Sequence, residues 1–264
     1  MGPVRQYRVT VKYHHSIMPT RTTTMTVPSA AKAAKLPVLT KKSAPSKSSV
    51  TTLRSLYPRA ARAFLQRNVT LTYSVLLSAF SIIEPPRSSS PDSLSSHRRK
   101  WDILRVTLET TLFTSGQQTG ELPESLRSIL SLSAPHLIAM MHTRSLQLFS
   151  PVCCHKPSAE FLPSQILIAL VLASIKLDCA QVGRGMVDDW LSLRNQSRYD
   201  AGKEGKQAKE EAEGYEKVLE MYCLHLLPRL EDWDSAREFL RYESELPHDR
   251  KTVSATNFCL WHSP

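Results

Sequence analysis

Glycine is scarce in this chain of 264 residues, which contains only 8 glycines against 17 prolines. Folds that need many tight glycine turns, or glycine loops that wrap phosphates, are therefore disfavoured. Gly183-Arg184-Gly185 is too short for a dinucleotide-binding loop, and neither GxxxxGK[ST] nor GxSxG occurs. The sequence thus lacks the usual signatures of nucleotide binding and of serine hydrolases.

Cysteine is also sparse, and its spacing does not suggest a disulfide framework. The five cysteines are an odd number and irregularly placed, at Cys153, Cys154, Cys179, Cys223 and Cys259. This usage suits a reducing compartment. Cys153-Cys154-His155 resembles part of a zinc site, but adjacent cysteines do not have CxxC geometry and no second ligand pair lies nearby. We therefore predict no metal site, no cofactor and no small-molecule substrate.

Other pairs of polar residues do not form a catalytic constellation. His136 and His142 are six residues apart, so they do not share a helical face for a metal. Asp188 and Asp189 are adjacent and would point apart on a helix. His225 stands among leucines, which is typical of a core histidine. The sequence predicts a protein that is not an enzyme, although catalytic residues need no local spacing.

Long apolar runs are missing. The longest, Ile166 to Ala173, has eight residues, whereas about 20 are needed to cross a bilayer. Residues 1–30 contain no apolar stretch of secretory-signal type. The sequence predicts a soluble chain.

Acidic residues are absent up to Ile83, while the same stretch holds thirteen Lys and Arg. The remainder holds 21 basic and 24 acidic residues, so the net charge of +10 belongs to the N-terminal part. We interpret residues 1–52 as a disordered basic leader, because four prolines between Pro19 and Pro45 interrupt any long helix. A mitochondrial transit peptide is one alternative. Contact with nucleic acid or acidic lipid is another.

The body of the chain has the period of an all-α protein, because apolar residues recur at three- and four-residue steps from Leu56 onward. We predict a helical domain over 53–247, exposed loops at 87–96 and 195–214 (the latter a loop or a helix extension), and a disordered tail over 248–264. The predicted helices are 57–83, 96–113, 123–132, 133–149, 163–177, 183–193, 215–230 and 233–246.

The last two predicted helices resemble the second half of a tetratricopeptide repeat. Trp233 follows a tight turn, Ala236 and Phe239 come at three-residue steps, and Pro247 closes the segment. A small Ala236 lets paired helices approach closely, and Trp233 and Phe239 would fill the seam between them. The sequence therefore predicts an irregular array of helical hairpins; an irregular helical bundle is the alternative.

The cluster His97-Arg98-Arg99-Lys100 places three cations in the first turn of a predicted helix, where the helix dipole disfavours them. One interpretation is that a solvated surface tolerates them. The other is that Arg98, Arg99 and Lys100 form a docking patch for an acidic partner surface.

Three stretches of the chain resemble the fungal peroxin-26-like family. They are Tyr57 to Leu65, Arg98 to Thr110 and Tyr215 to Leu246, within residues 54–247. The resemblance implies a peroxisome-associated docking factor that recruits the AAA ATPases of import-receptor recycling, with all ATP chemistry supplied by the ATPase. The family also implies a C-terminal membrane anchor, for which this sequence offers no apolar segment, so we do not predict membrane attachment through one.

Two functional hypotheses follow. The first is a non-enzymatic helical adaptor that binds protein partners, peroxisome-associated if the resemblance holds and otherwise cytoplasmic. The alternative is a mitochondrial helical-repeat protein that contacts RNA through its basic leader.

Overall fold

The computed structural model describes residues 47–116, 122–198 and 206–243. By contacts the chain divides into two units, Met1–Lys42 and Ser43–Pro264, and the described residues belong to the second. All regular structure in the described ranges is helical, which confirms the all-α prediction. Most of the predicted leader, the predicted tail and Pro247 lie outside the described residues.

The helices follow one another in chain order. They are α1 (Lys47–Leu65), α2 (Val69–Phe80), α3 (Ser95–Ser115), α4 (Glu124–Leu130), α5 (Ala134–Phe149), α6 (Ser164–Lys176), α7 (Ala180–Arg198), α8 (Lys206–Met221), α9 (Leu227–Arg229) and α10 (Trp233–Tyr242). A 3-10 turn over Ala159–Phe161 precedes α6, and a π-helical segment over Tyr222–Leu226 joins α8 to α9. Pro163 and Ser133 stand at the N-caps of α6 and α5, as the sequence predicts for helix starts.

The prediction of one helix over 57–83 is wrong, because the chain turns at Arg67 and forms α1 and α2. Asn68 is the N-cap of α2, since its side chain accepts a hydrogen bond from the Leu71 N–H at 3.0 Å. Helix α1 also begins before residue 53, because Val50 and the buried Leu53 extend its apolar stripe.

The described parts of the segment 195–214 are helical and do not form a loop. Helix α7 continues to Arg198 and α8 begins at Lys206, while 199–205 lie outside the described residues. Lysine, glutamate, glutamine and alanine are good helix formers, and Lys209 pairs with Glu213 one turn later at 4.0 Å. The helix-extension interpretation is therefore the right one for the described part of this segment.

Three helix pairs are joined by the same kind of turn. Each has one non-glycine residue in the left-handed region, with φ of 58° at Arg67, 56° at Asp178 and 58° at Glu231. The next N–H donates to the carbonyl five residues earlier, at distances of 2.9, 2.7 and 3.0 Å. These are Schellman turns, which satisfy the last carbonyls of one helix. The pairs α1–α2, α6–α7 and α9–α10 are thus hairpins of one type.

A buried residue of small or medium size follows each left-handed residue at the fifth position. The three residues are Thr72, Gly183 and Ala236. At Gly183 the fit is tightest, because a Cβ there would lie 2.2 Å from the Ser174 Oγ of α6. The hairpins therefore close by direct approach of paired helices.

Helix α6 occupies the centre of the described helices. It packs against α3, α5, α7 and α8. Its residues Ile166, Leu167 and Leu170 are fully buried. Gly214 of α8 approaches it closely, since a Cβ on Gly214 would meet the Ser164 Oγ at 2.2 Å.

Candidate functional site

Arg98 is buried and does not belong to a docking patch. Its side chain is 3% exposed, its Nε donates to the Glu84 carbonyl at 2.7 Å, and its Nη1 donates to Asp92 Oδ1 at 2.9 Å. These bonds join both ends of the segment between α2 and α3, whose residues 87–91 are exposed. The patch hypothesis is therefore wrong for Arg98. The first turn of α3 contains no acidic residue, and Asp92 of the preceding loop balances the charge of Arg98 instead.

Arg99 and Lys100 differ from Arg98 and from each other. Arg99 donates to Glu210 of α8 at 2.7 Å and to Gln165 of α6 at 3.2 Å, so it ties three helices together. Lys100 is exposed. Arg98 and Arg99 would each have to break an ion pair of the fold to contact a partner, whereas Lys100 would not.

His97 shows which residues adjoin the start of α3. Burial lowers the pKa of His97, and the positive charges of Lys100 and of Arg54 on α1 lower it further. The exposed side of α1 and the first turn of α3 therefore share a positive environment.

The last hairpin is packed by the three residues that the sequence singles out. Ala236 is fully buried, and the Phe239 ring meets the Tyr222 ring edge-on, with centroids 5.7 Å apart. Trp233 is half-buried against the core. These residues hold α10 against the π-helical segment and α9.

A polar network links this hairpin to α7. Arg184 bonds to Asp232, the N-cap of α10, and lies 3.7 Å from Asp188. The Tyr222 hydroxyl donates to Asp188 at 2.6 Å. Burial and this bond raise the pKa of Tyr222, whereas bonds from Ser235 and Arg184 lower the pKa of Asp232. The network fixes the orientation of α10 on α7.

A second network is buried between α3 and α5. Asp102 is fully buried and accepts hydrogen bonds from Ser145 at 2.7 Å and from Arg105. Two turns further along α3, Glu109 pairs with Arg144. Burial raises the pKa of Glu109, and the charge of Arg144 opposes that shift. Each carboxylate is matched by an arginine, so the network pairs α3 with α5 and leaves no uncompensated carboxylate.

The described helices do not cover the central helix α6 on all sides. Leu172 is 48% exposed, and Ile168 and Ile175, one turn to either side, are only partly buried. These three residues, at i, i+4 and i+7, form one line along the helix. We call them the α6 stripe.

The described residues offer no metal centre and no membrane span. Among them, no group of three His, Cys, Asp or Glu side chains is placed to hold a metal ion. No described helix combines the length and the apolarity needed to cross a bilayer. Cys153 is exposed, while burial raises the pKa of the Cys223 thiol to about 12; Cys259 lies outside the described residues.

The chain matches no protein-family model, no curated protein and no solved structure.

The α6 stripe has no signal of its own in the sequence, because Ile168 and Leu172 lie within the longest apolar run, Ile166 to Ala173. Composition does not show which neighbours cover a helix. The buried network on α3 carries a recognisable signal, since Asp102, Arg105 and Glu109 at i, i+3 and i+7 share one helical face.

Proposed function

We propose that the protein is a non-enzymatic helical adaptor that binds a protein partner. The observation that carries this proposal is the open α6 stripe at the centre of an array of helical hairpins. Arrays of paired helices present extended surfaces that bind other proteins. Networks of paired charge hold the described helices in fixed positions, as a rigid scaffold requires.

The α6 stripe suits an amphipathic helix of a partner. Its three aliphatic residues span about 10 Å of helix, which matches two turns of a partner with apolar residues at i, i+3 and i+7. Leu172 and Lys176 are both exposed, so the stripe has a charged end beside its apolar centre. Burying a half-exposed leucine and its neighbours on binding would supply part of the affinity.

The partner class comes from the family resemblance. A peroxin-26-like protein would recruit the AAA ATPases that extract the peroxisomal import receptor, and the ATPase would hydrolyse the ATP. In this proposal the chain is peroxisome-associated and binds the ATPase without taking part in ATP hydrolysis.

Affinity capture with matched surface variants tests the proposal. The full chain serves as bait in a fungal lysate with a non-hydrolysable ATP analogue, and retained proteins are identified by mass spectrometry. Leu172→Glu should reduce retention of an AAA ATPase pair at least tenfold, because a carboxylate on the stripe opposes its burial. The control is Leu77→Glu on α2, a leucine of similar exposure at 54%. Equal retention by both variants would rule out the α6 stripe, and absence of any AAA ATPase would rule out the peroxisomal version.

The alternative of RNA contact through the leader rests on residues outside the described part of the chain. It predicts strongly salt-dependent RNA binding that is lost on deletion of residues 1–50.

A further inference from the structure

The first hairpin carries positive charge without any acidic residue. Between Lys47 and Ile83 the chain has five basic residues, and the first acidic residue of the whole sequence is Glu84. The buried side of α1 is formed by Leu53, Ala60 and Ala63. The four arginines among these basic residues therefore lie on the outer side of the hairpin.

Four arginines of this hairpin are exposed and have no ion-pair partner among the described residues. They are Arg54, Arg59, Arg62 and Arg67, which we call the basic face. Ten arginines further along the described chain do pair with a carboxylate or lie over an aromatic ring: Arg98, Arg99, Arg105, Arg127, Arg144, Arg184, Arg194, Arg229, Arg237 and Arg241. The basic face is thus a local excess of charge that the fold leaves uncompensated.

Helical geometry places these arginines on one side of the molecule. At 3.6 residues per turn, Arg54 and Arg62 are separated by about 80° around α1, and Arg59 lies about 60° further round. Arg67 stands in the turn that follows the helix. The exposed Lys100 lies at the start of α3, and both its charge and that of Arg54 lower the pKa of His97. The positive surface therefore extends from the hairpin turn towards α3.

An apolar side chain projects from the same surface. Leu65 is 80% exposed at the end of α1, between Arg62 and Arg67. An apolar phase that begins directly beneath a negatively charged surface could take up this leucine while the neighbouring arginines stay at that surface. An arginine on either side would contact negative groups at the level where such a phase begins.

We propose that the basic face binds the surface of an anionic lipid bilayer, with Leu65 inserted at the interface. Each basic residue near an anionic membrane contributes attraction that salt screens. Nucleic acid fits less well, because no aromatic side chain of the α1–α2 hairpin is exposed to stack on bases. This contact is peripheral and does not depend on the proposed adaptor function.

Vesicle binding by the full chain tests the proposal. The probes are vesicles of phosphatidylcholine alone and of phosphatidylcholine with about 30% phosphatidylserine, a fraction chosen to give a clearly negative surface potential. The test variant is Arg54→Gln/Arg62→Gln/Arg67→Gln. The control is Arg127→Gln/Arg229→Gln/Arg237→Gln, which removes the same charge from other exposed helix positions. The wild type and all variants contain the basic leader, so any vesicle binding by the leader is the same in each of them.

The wild type and the control variant should bind the anionic vesicles within about twofold of each other, and the test variant at least tenfold more weakly. Leu65→Ser should bind a few times more weakly, with unchanged salt dependence, because it removes apolar insertion and leaves charge. Arg54→Lys/Arg62→Lys/Arg67→Lys should retain binding.

Equal binding by the test and control variants would overturn the proposal, because net charge or the leader would then account for the attraction. A second contradicting result is loss of polyuridylate or polyglutamate binding in the test variant with vesicle binding intact. That result would assign the basic face to RNA or to an acidic protein. Circular dichroism and thermal unfolding show that each variant is folded before its binding is compared.

Discussion

At the scale of single residues, close contacts decide where the chain tolerates change. The sequence shows two glycines on α7, Gly183 and Gly185, with nothing to tell them apart. In the structure Gly183 faces Ser174, whereas a Cβ on Gly185 would have nothing within 4 Å. Their difference comes from packing against α6 and against Leu226 of the π-helical segment.

Gly183→Ala should destabilise the protein by about 1–3 kcal/mol, because its Cβ would meet the Ser174 Oγ at 2.2 Å and Leu226 Cδ1 at 3.2 Å. Gly185→Ala should stabilise it by about 0.5–1 kcal/mol through helix propensity. Urea unfolding of both variants measures the difference. Changes of the same sign and size would show that the close approach of α6 and α7 is not as described.

His142 should make stability depend on pH. Burial lowers its pKa, Asp189 opposes the shift, and its Nε2 atom is buried without a hydrogen-bond partner in the described structure. Since the folded state disfavours the proton, the stabilisation is fully present above the unfolded pKa of 6.5 and is lost as pH falls below it towards the folded value.

The free energy of unfolding should therefore fall between pH 7.5 and pH 5.5, and the fall should be smaller in His142→Gln. His136→Gln, on an exposed histidine of the same helix, is the matched control. An undiminished fall in His142→Gln would contradict the assignment.

At the scale of elements, the recurring unit is the hairpin with a left-handed residue in its turn. A non-glycine residue in this region carries a steric cost of about 1–2 kcal/mol from its Cβ. Arg67, Asp178 and Glu231 all adopt this conformation despite its cost. The turn geometry is therefore set by the packing of the paired helices and not by the turn residue itself.

Glu231→Gly should stabilise the protein by about 0.5–1 kcal/mol, because glycine removes the Cβ cost at φ of 58°. Glu231→Ala also removes the charge but keeps the Cβ, so it should give no such gain. It therefore distinguishes the removal of backbone strain from the removal of charge. Thermal unfolding of the two variants checks this. If alanine stabilises as much as glycine, the side-chain charge is responsible.

The sequence predicts the helices well and their environments poorly. The three- and four-residue period locates most elements, and the caps at Ser133 and Pro163 fix two starts. The apolar pattern continues across the turn at Arg67 and therefore does not reveal it, although Asn68 carries a capping signal. The burial of Arg98 has no local signal, since its partner Asp92 lies in a loop whose path only the fold determines.

At the scale of the whole molecule, paired charges in the interior hold the array together. The α3–α5 network is the clearest case, with Asp102 fully buried between Ser145 and Arg105. Breaking such a pair from one side leaves the other charge without compensation.

Asp102→Ala should destabilise the protein by about 3–5 kcal/mol, because Arg105 and the Ser145 hydroxyl lose their acceptor. Asp234→Ala, in an exposed pair with Arg237, should cost below about 1 kcal/mol. Chemical unfolding distinguishes them. Similar losses in the two variants would mean that the interior network contributes no more than a surface pair.

The most direct test of the proposed adaptor function is the affinity of the full chain for a purified peroxisomal AAA ATPase hexamer. Binding is measured with a non-hydrolysable ATP analogue and with ADP. We expect a complex with Kd of about 1 µM or tighter, typical of specific partners. Leu172→Glu should weaken it at least tenfold, and Leu77→Glu should leave it unchanged. No detectable complex in either nucleotide state would contradict it.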